Sequence, residues 1–79
     1  MIVIRIRYPR KGNKIDFDRL DGIEDDIVNV LVEDGGIQTK DISVSYKDSE
    51  YETIYVGKDF DTSILDKISL YDDEKIVTN

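Results

Sequence analysis

Strict alternation of apolar and charged residues near the start of the chain restricts the fold more than any other feature. Ile2, Ile4 and Ile6 lie at every second position, and Arg5 and Arg7 lie between them. A period of two places successive side chains on opposite faces of an extended backbone. The segment therefore predicts a β-strand with one buried face and one polar face.

A turn and a second alternating run follow this strand. Pro9 cannot donate a ladder hydrogen bond, and the glycine and asparagine of PRKGN favour a turn. The run KIDFDR at residues 14–19 alternates again. We therefore predict a β-hairpin of strands 2–8 and 14–19. In that hairpin Arg5 and Arg7 would face Asp16 and Asp18.

The segment DGIEDDIVNVLVEDGG carries a helical pattern. Asp21 followed by Glu24 resembles a capping box, and the Gly-Gly pair at its end is a common helix stop. The β-branched residues of IVNVLV would also suit a strand. Because capping signals stand at both ends, we predict a helix at about residues 22–34. Its apolar face would comprise Ile23, Ile27, Val30 and Leu31.

Later segments predict more strands. Residues 42–46 and 51–56 alternate around the turn KDSE and predict a second hairpin. Pairing Tyr46 with Tyr51 in that hairpin turns Ile54 away from the helix, toward the outer face. A short helix is expected near residues 62–69 and a closing strand at 75–78. The predicted fold class is α+β, a single domain 1–79 with a mixed sheet of four to five strands packed on one helix.

The composition argues against several classes of function. The chain of 79 residues has neither cysteine nor histidine, which removes disulfides, thiolate metal sites and the usual base of acid–base catalysis. We therefore expect no enzyme activity, no cofactor and no metal site. The acidic run from Asp16 to Glu24 has the wrong spacing for a calcium loop. With no apolar run long enough for a membrane span or signal peptide, a soluble, cytoplasmic protein is expected.

Charge is distributed unevenly in this chain of net charge −7. Residues 1–20 carry six basic and two acidic side chains, whereas the remainder carries five basic and sixteen acidic ones. An acidic surface repels nucleic acid and anionic membrane, so direct nucleic-acid binding is disfavoured.

Three segments resemble ubiquitin, in the same order along the chain. They are DGIEDDIVNVLVEDGGI at 21–37, IYVGKDF at 54–60 and LDKISLYDDEKI at 65–76. The resemblance implies a ubiquitin-like β-grasp fold and, at the position of Ile54, the centre of a partner-binding patch. The chain departs from ubiquitin by about ten extra residues before Ile54, and it ends in KIVTN without a diglycine tail. The resemblance therefore implies that the chain binds a partner through a patch on its sheet. It implies neither conjugation nor sulfur transfer.

The expected function is non-catalytic binding of a protein partner through the outer face of the sheet. The alternative is a small acidic inhibitor, of the kind that phages encode, that mimics nucleic acid and fills a basic groove of a nucleic-acid-processing or defence enzyme. Weak self-association through an edge strand near residues 42–56 is a third option. The predicted partner site comprises Ile54, Val56, Val77, Arg5 and Arg7. The alternative acidic surface comprises Glu24, Asp25, Asp26, Glu33, Asp34, Asp48, Glu50, Glu52, Asp72 and Asp73.

Overall fold

The computed structural model describes residues 1–79 and has one main helix packed on a four-stranded antiparallel sheet. This helix covers one face of the sheet, which we call the inner face. The strands are β1 (Ile2–Arg7), β2 (Arg10–Lys11), β3 (Lys14–Ile15), β4 (Ile42–Ser45), β5 (Tyr51–Val56) and β6 (Ile76–Thr78), and α1 is Phe17–Glu33. The 3-10 helices are Thr39–Asp41 and Thr62–Lys67. The sheet order is β4-β5-β1-β6, and β2 and β3 form a separate small ribbon.

The predicted opening hairpin is wrong. Strand β1 lies between β5 and β6 and pairs antiparallel with both, so the sheet is not mixed. Strand β3 pairs only with β2, because the chain folds back within a few residues and Asp16 donates its N–H to the Pro9 carbonyl at 2.8 Å. Arg5 therefore lies opposite Thr53 and Val77, and not opposite Asp16. The later strands and the short helix near residues 62–69 are confirmed.

The main helix is confirmed but begins earlier than expected. Asp16 is the N-cap, and its Oδ1 accepts the backbone N–H of Arg19 at 3.1 Å. Asp21, the predicted cap, lies inside the helix. Phe17, assigned above to a strand, is the first helical residue and is exposed. The earlier start adds Leu20 to the buried stripe, one turn before Ile23.

Two glycines end the helix as expected. Gly36 has φ +67°, a left-handed conformation that costs glycine little. A Cβ on Gly35 would lie 2.8 Å from the Leu31 carbonyl oxygen, so only glycine fits there. The chain then turns back, and Ile37 donates its N–H to that same carbonyl at 3.0 Å.

One core lies between α1 and the inner face of the sheet. Because a strand alternates and a helix repeats every 3.6 residues, each element contributes a single apolar face. The core comprises Ile4, Ile6, Tyr8, Leu20, Ile23, Ile27, Leu31, Ile37, Ile54, Val56, Leu65 and Ile68.

A bidentate ion pair fastens the start of α1 to the loop before β6. Arg19 donates to both Glu74 carboxylate oxygens, at 2.7 and 2.6 Å, and to the Ser69 carbonyl at 3.1 Å. Its guanidinium also stacks on Tyr71, 4.4 Å from the ring centroid. The Glu74 side chain is only 4% exposed, and its hydrogen bond with Arg19 lowers the pKa of the carboxyl. This geometry makes the pair far stronger than an exposed one.

We expect Arg19→Ala to lower the free energy of unfolding by about 2–4 kcal/mol, because it leaves the Glu74 carboxylate buried without its cation. Lys67→Ala is the matched control, since Lys67 pairs with Asp34 at 2.9 Å but is 61% exposed. Loss of that pair should cost under about 1 kcal/mol. Urea denaturation of both variants measures the difference. Equal losses would show that Arg19 contributes no more than a surface pair.

Candidate functional site

The outer face of the sheet, opposite α1, is not covered by any other element. Because β1 pairs residue for residue with β5 and β6, the ladder places alternate side chains of every strand on this face. Its side chains are Val3, Arg5, Arg7, Ser43, Ser45, Tyr51, Thr53, Tyr55 and Val77.

Two of the five predicted partner-binding residues do not lie on the outer face. Ile54 and Val56 are both 0% exposed and belong to the core, so their outward assignment is wrong. The observed ladder pairs Val44 with Ile54, whereas the prediction paired it with Thr53. A slip of one residue moves every side chain of a strand to the opposite face.

The remaining three predicted residues do share the outer face. Arg5 and Arg7 are exposed on β1, and Val77 is 38% exposed on β6 beside Arg5. Sequence reasoning missed Tyr51 and Tyr55, because they were assigned to the inner side of the second hairpin. Two features of the sequence could have identified them. Tyr51 and Tyr55 are four residues apart, and both are an odd number of residues from Ile54, so they point to the opposite side of the strand.

The outer face carries two arginines of β1 beside two tyrosines of β5. The Arg5 guanidinium lies over the Tyr51 ring, 5.0 Å from its centroid, and 3.5 Å from the Asp48 carboxylate. No carboxylate lies within ion-pair distance of Arg7. Tyr55 is 39% exposed and lies opposite Val3 in the ladder. The face thus combines an unpaired cation with a partly exposed aromatic ring.

The predicted acidic residues lie on separate parts of the molecule. Asp48, in the turn before β5, contacts Arg5 at the outer face, while the acidic residues of α1 lie on the helix side of the sheet. Asp34 is engaged with Lys67. Glu52 is 0% exposed, so its assignment to an exposed surface is wrong. The exposed residues of the predicted set are Asp25, Asp26, Glu33, Asp34, Asp48, Glu50, Asp72 and Asp73, and Glu24 is half-buried.

Glu52 lies on the inner face, opposite Ile6 in the ladder, at the end of the core nearest the start of α1. No donor group hydrogen-bonds either of its carboxylate oxygens. Its neighbour is Glu24 of α1, and a proton on one of these carboxyls allows them to hydrogen-bond each other. The Tyr46 hydroxyl donates to Glu24 Oε2 at 3.2 Å. Together with Asp21, these residues form what we call the Glu52 cluster.

Burial raises the pKa of Glu52 to about 8, and the hydrogen bond and negative charge of Glu24 add to the effect, with a smaller contribution from Asp21. Partial desolvation of the largely exposed Tyr46, together with the charges of Glu52 and Glu24, likewise raises the pKa of Tyr46 to about 12. Glu52 therefore keeps its proton at neutral pH. Acid–base catalysis by this carboxyl would need contact with a substrate, and the fully buried Glu52 offers none.

The largest surface groove, of about 400 Å³, lies between residues 7–10 and the loop 72–75. Both charge signs line it, with Arg7, Arg10 and Lys75 offset by three neighbouring acidic residues. No three carboxylates anywhere in the chain converge in a geometry suited to a metal ion. None of the helices has the length and the apolar composition needed to cross a membrane.

Comparison with known proteins does not identify a relative. No known family, no curated protein and no solved structure matches this chain significantly.

Proposed function

We propose that this chain is a non-catalytic module that binds a protein partner through the outer face of its sheet. The observation that carries the proposal is an uncovered sheet face that holds Tyr55, Val77 and the unpaired Arg7 in a small acidic chain. Tyrosine and arginine are the side chains that dominate the energetics of protein interfaces.

The charges of this face indicate what the partner should offer. Arg7 forms no ion pair with a carboxylate of its own chain, although the chain has a net charge of −7. An acidic residue of the partner would supply the missing counter-ion, and an apolar side chain would pack on Tyr55 and Val77. The proposed partner surface is therefore apolar at its centre and acidic at its rim.

The ubiquitin-like resemblance adds to this proposal the idea that a partner docks on the open face of the sheet. It is supported by the layout of one main helix across one face of a sheet, with the other face open. The antiparallel pairing of β1 with its two neighbours differs from the mixed sheet that the resemblance implies. From the resemblance we therefore take only docking through an open sheet face. We assign Ile54 no role in binding.

Nucleic-acid mimicry is the second candidate, supported by one feature of α1. Asp18, Asp21 and Asp25 are exposed and lie at i, i+3 and i+7, along one flank of the helix. Such a row of carboxylates suits a basic groove. Asp26 and Glu33 of α1 are also exposed but fall outside this spacing, and the remaining exposed acidic groups lie on other elements, which leaves the row short.

The test is capture of partners from an extract of the cells that make the protein. Arg7→Glu and Tyr55→Asp should each reduce recovery of the outer-face partner about tenfold or more, because they remove the cation and the aromatic contact. Asp25→Lys on α1 is the matched control and should leave recovery unchanged. Quantitative mass spectrometry of the bound fraction gives the recoveries.

Salt separates the two candidates. Binding to an apolar face should change little between low and moderate salt, whereas groove filling by carboxylates should weaken steeply. If Asp25→Lys abolishes recovery while Tyr55→Asp does not, the helix is the binding surface and the outer-face proposal is wrong.

A further inference from the structure

Three cations lie together at one end of the outer face. Arg7 donates its N–H to the Lys75 carbonyl at 3.0 Å, which continues the ladder between β1 and β6 by one pair. Arg7 and Lys75 are therefore directly opposite each other and share a face. Arg10 of β2 lines the same groove, and all three side chains are exposed. The cations thus meet at one surface groove of about 400 Å³.

None of these three cations forms an ion pair within the molecule. The acidic residues that line the groove with them are Asp72, Asp73 and Glu74. Both carboxylate oxygens of Glu74 accept hydrogen bonds from Arg19, which neutralises that charge. The groove therefore holds three unpaired cations and two unpaired carboxylates, in a chain whose net charge is −7.

Backbone hydrogen bonds and one ion pair fix the walls of this groove. Tyr8 donates its N–H to the residue before β5 at 2.9 Å, and Asp16 donates to the Pro9 carbonyl at 2.8 Å. Tyr8 and Pro9 lie between the two arginines and are buried. The Arg19–Glu74 ion pair fastens the opposite wall. A ligand therefore has little backbone to order when it binds, which lowers the entropic cost of binding.

We propose that this groove binds the phosphoryl group of a phosphorylated side chain on the protein partner. This inference rests on the proposed function, because Arg7 belongs to both the outer face and the groove. A phosphate monoester carries close to two negative charges and three terminal oxygens at neutral pH. Two guanidinium groups and one ammonium group can each bind one of these oxygens, whereas a carboxylate offers two oxygens and a single charge.

The surrounding negative charge restricts the kind of anion that fits. A polyanion such as nucleic acid would bring most of its phosphates against an acidic surface, with Asp72 and Asp73 at the groove itself. A single phosphoryl group places its whole charge among the three cations. Salt screens such close contacts less than it screens the long-range attraction of a row of carboxylates. The groove therefore suits one compact dianion.

The apolar end of the outer face supplies the contact that distinguishes a phosphorylated protein from free phosphate. Tyr55 lies opposite Val3, which is four residues from Arg7 along β1. At about 3.4 Å per residue, this apolar row lies roughly 13 Å from the row of Arg7 and Lys75. An extended peptide covers the same distance in four residues. A partner segment with an apolar side chain four positions from its phosphorylated residue therefore reaches both contacts.

Peptide titrations followed by NMR test this site. The probes are two short peptides with phosphoserine and leucine four positions apart, one in each order, together with their unphosphorylated forms and inorganic phosphate. One phosphopeptide should bind about tenfold or more tightly than its unphosphorylated form and than inorganic phosphate, with the largest shifts at Arg7, Arg10 and Lys75. Equal affinity of the two peptide forms, or no binding of either phosphopeptide, would overturn the inference. Equal affinity for inorganic phosphate would instead show a site for the free anion.

Charge-removing variants locate the site on the chain. Arg7→Gln and Lys75→Gln should each weaken binding of the phosphopeptide about tenfold, and Asp73→Asn should strengthen it severalfold by removing an opposing carboxylate. Lys14→Gln is the matched control, because Lys14 is exposed and does not line the groove. Thermal melts verify that each variant is folded. If Lys14→Gln weakens binding as much as Lys75→Gln does, the peptide senses only net charge and the groove is not the site.

Phosphatase treatment of the cell extract separates this inference from the proposed function. Removal of phosphate before capture should lower recovery of the outer-face partner about as much as Arg7→Glu does, about tenfold or more. If recovery falls with Tyr55→Asp but survives phosphatase, the outer face still binds a protein and the phosphoryl site is wrong. If Tyr55→Asp leaves recovery unchanged, the proposed function itself is wrong, and the phosphorylated partner is wrong with it.

Discussion

An Ile54→Asp chain is expected to be unfolded at room temperature, with no cooperative thermal transition. Ile54 is 0% exposed and lies in the ladder between Ile4 and Val44. Truncating such a side chain costs about 2–5 kcal/mol, and burying an unpaired carboxylate costs several more. A small domain has a total stability near the low end of about 5–15 kcal/mol, so the loss exceeds what the fold can tolerate.

The neighbouring outward position provides the control for this variant. Tyr55→Asp introduces the same carboxylate one residue away, on the open face, and should lower the free energy of unfolding by only about 1 kcal/mol. Circular dichroism melts of the two variants give the comparison. If Ile54→Asp instead melts like the native protein, Ile54 faces solvent and the ladder between β4 and β5 is out of register.

The stability of the native protein is expected to fall as the pH rises from about 5 to about 8, the opposite of the usual behaviour of a carboxylate-rich domain. In the unfolded chain Glu52 loses its proton near its ordinary pKa of 4.5, whereas in the folded protein it keeps that proton to about pH 8. Between these values the folded state holds more protons than the unfolded state, so the free energy of unfolding decreases with pH.

The size of this decrease follows from the two pKa values of Glu52. Each pKa unit corresponds to about 1.4 kcal/mol, which makes about 3–5 kcal/mol the expected loss between pH 5 and pH 8. At lower pH the sign reverses. Hydrogen bonds to the carboxylates of Asp48, Asp61 and Glu74 lower their pKa values, and the stability they contribute is lost as the pH falls below about 4. Stability should therefore peak near pH 5.

Glu52→Gln isolates the buried group, because the amide is neutral at every pH and can still donate to Glu24. The variant should be nearly independent of pH between 5 and 8, and more stable than the native protein at pH 8. Glu50→Gln removes the same charge from an exposed neighbour and should keep the native profile. Urea denaturation at each pH supplies the profiles. A native profile that stays flat or rises from pH 5 to 8 would contradict a buried, protonated Glu52.

Local patterns predicted much of the secondary structure. The apolar stripe of α1, the glycines that end it, the alternation of β4 and β5 and the short helix at 62–69 all depend on residues close together in the chain. The start of α1 was missed because the alternation of residues 14–19 predicted a strand there, whereas packing of Leu20 into the core favours a helix that begins after Asp16.

The candidate site was predicted only in part, because its membership depends on pairing between distant strands. Alternation placed Arg5 and Arg7 on the polar face of β1 whichever strand lay beside it. The same alternation could not assign Ile54, since YETIYV has apolar groups in both phases. Whether the turn before β5 has four or five residues decides which face of the sheet Ile54 occupies.

Short-range periodicity, then, was enough to define one helix, the four strands β1, β4, β5 and β6, and an arginine pair on a polar strand face, because these follow from the spacing of neighbouring residues. Tertiary structure alone decided that β1 lies between β5 and β6, that tyrosines and not Ile54 occupy the outer face, and that Glu52 is buried beside Glu24. The reason is that strand partners and a one-residue register are chosen by the packing of the whole core, and no local pattern carries that information.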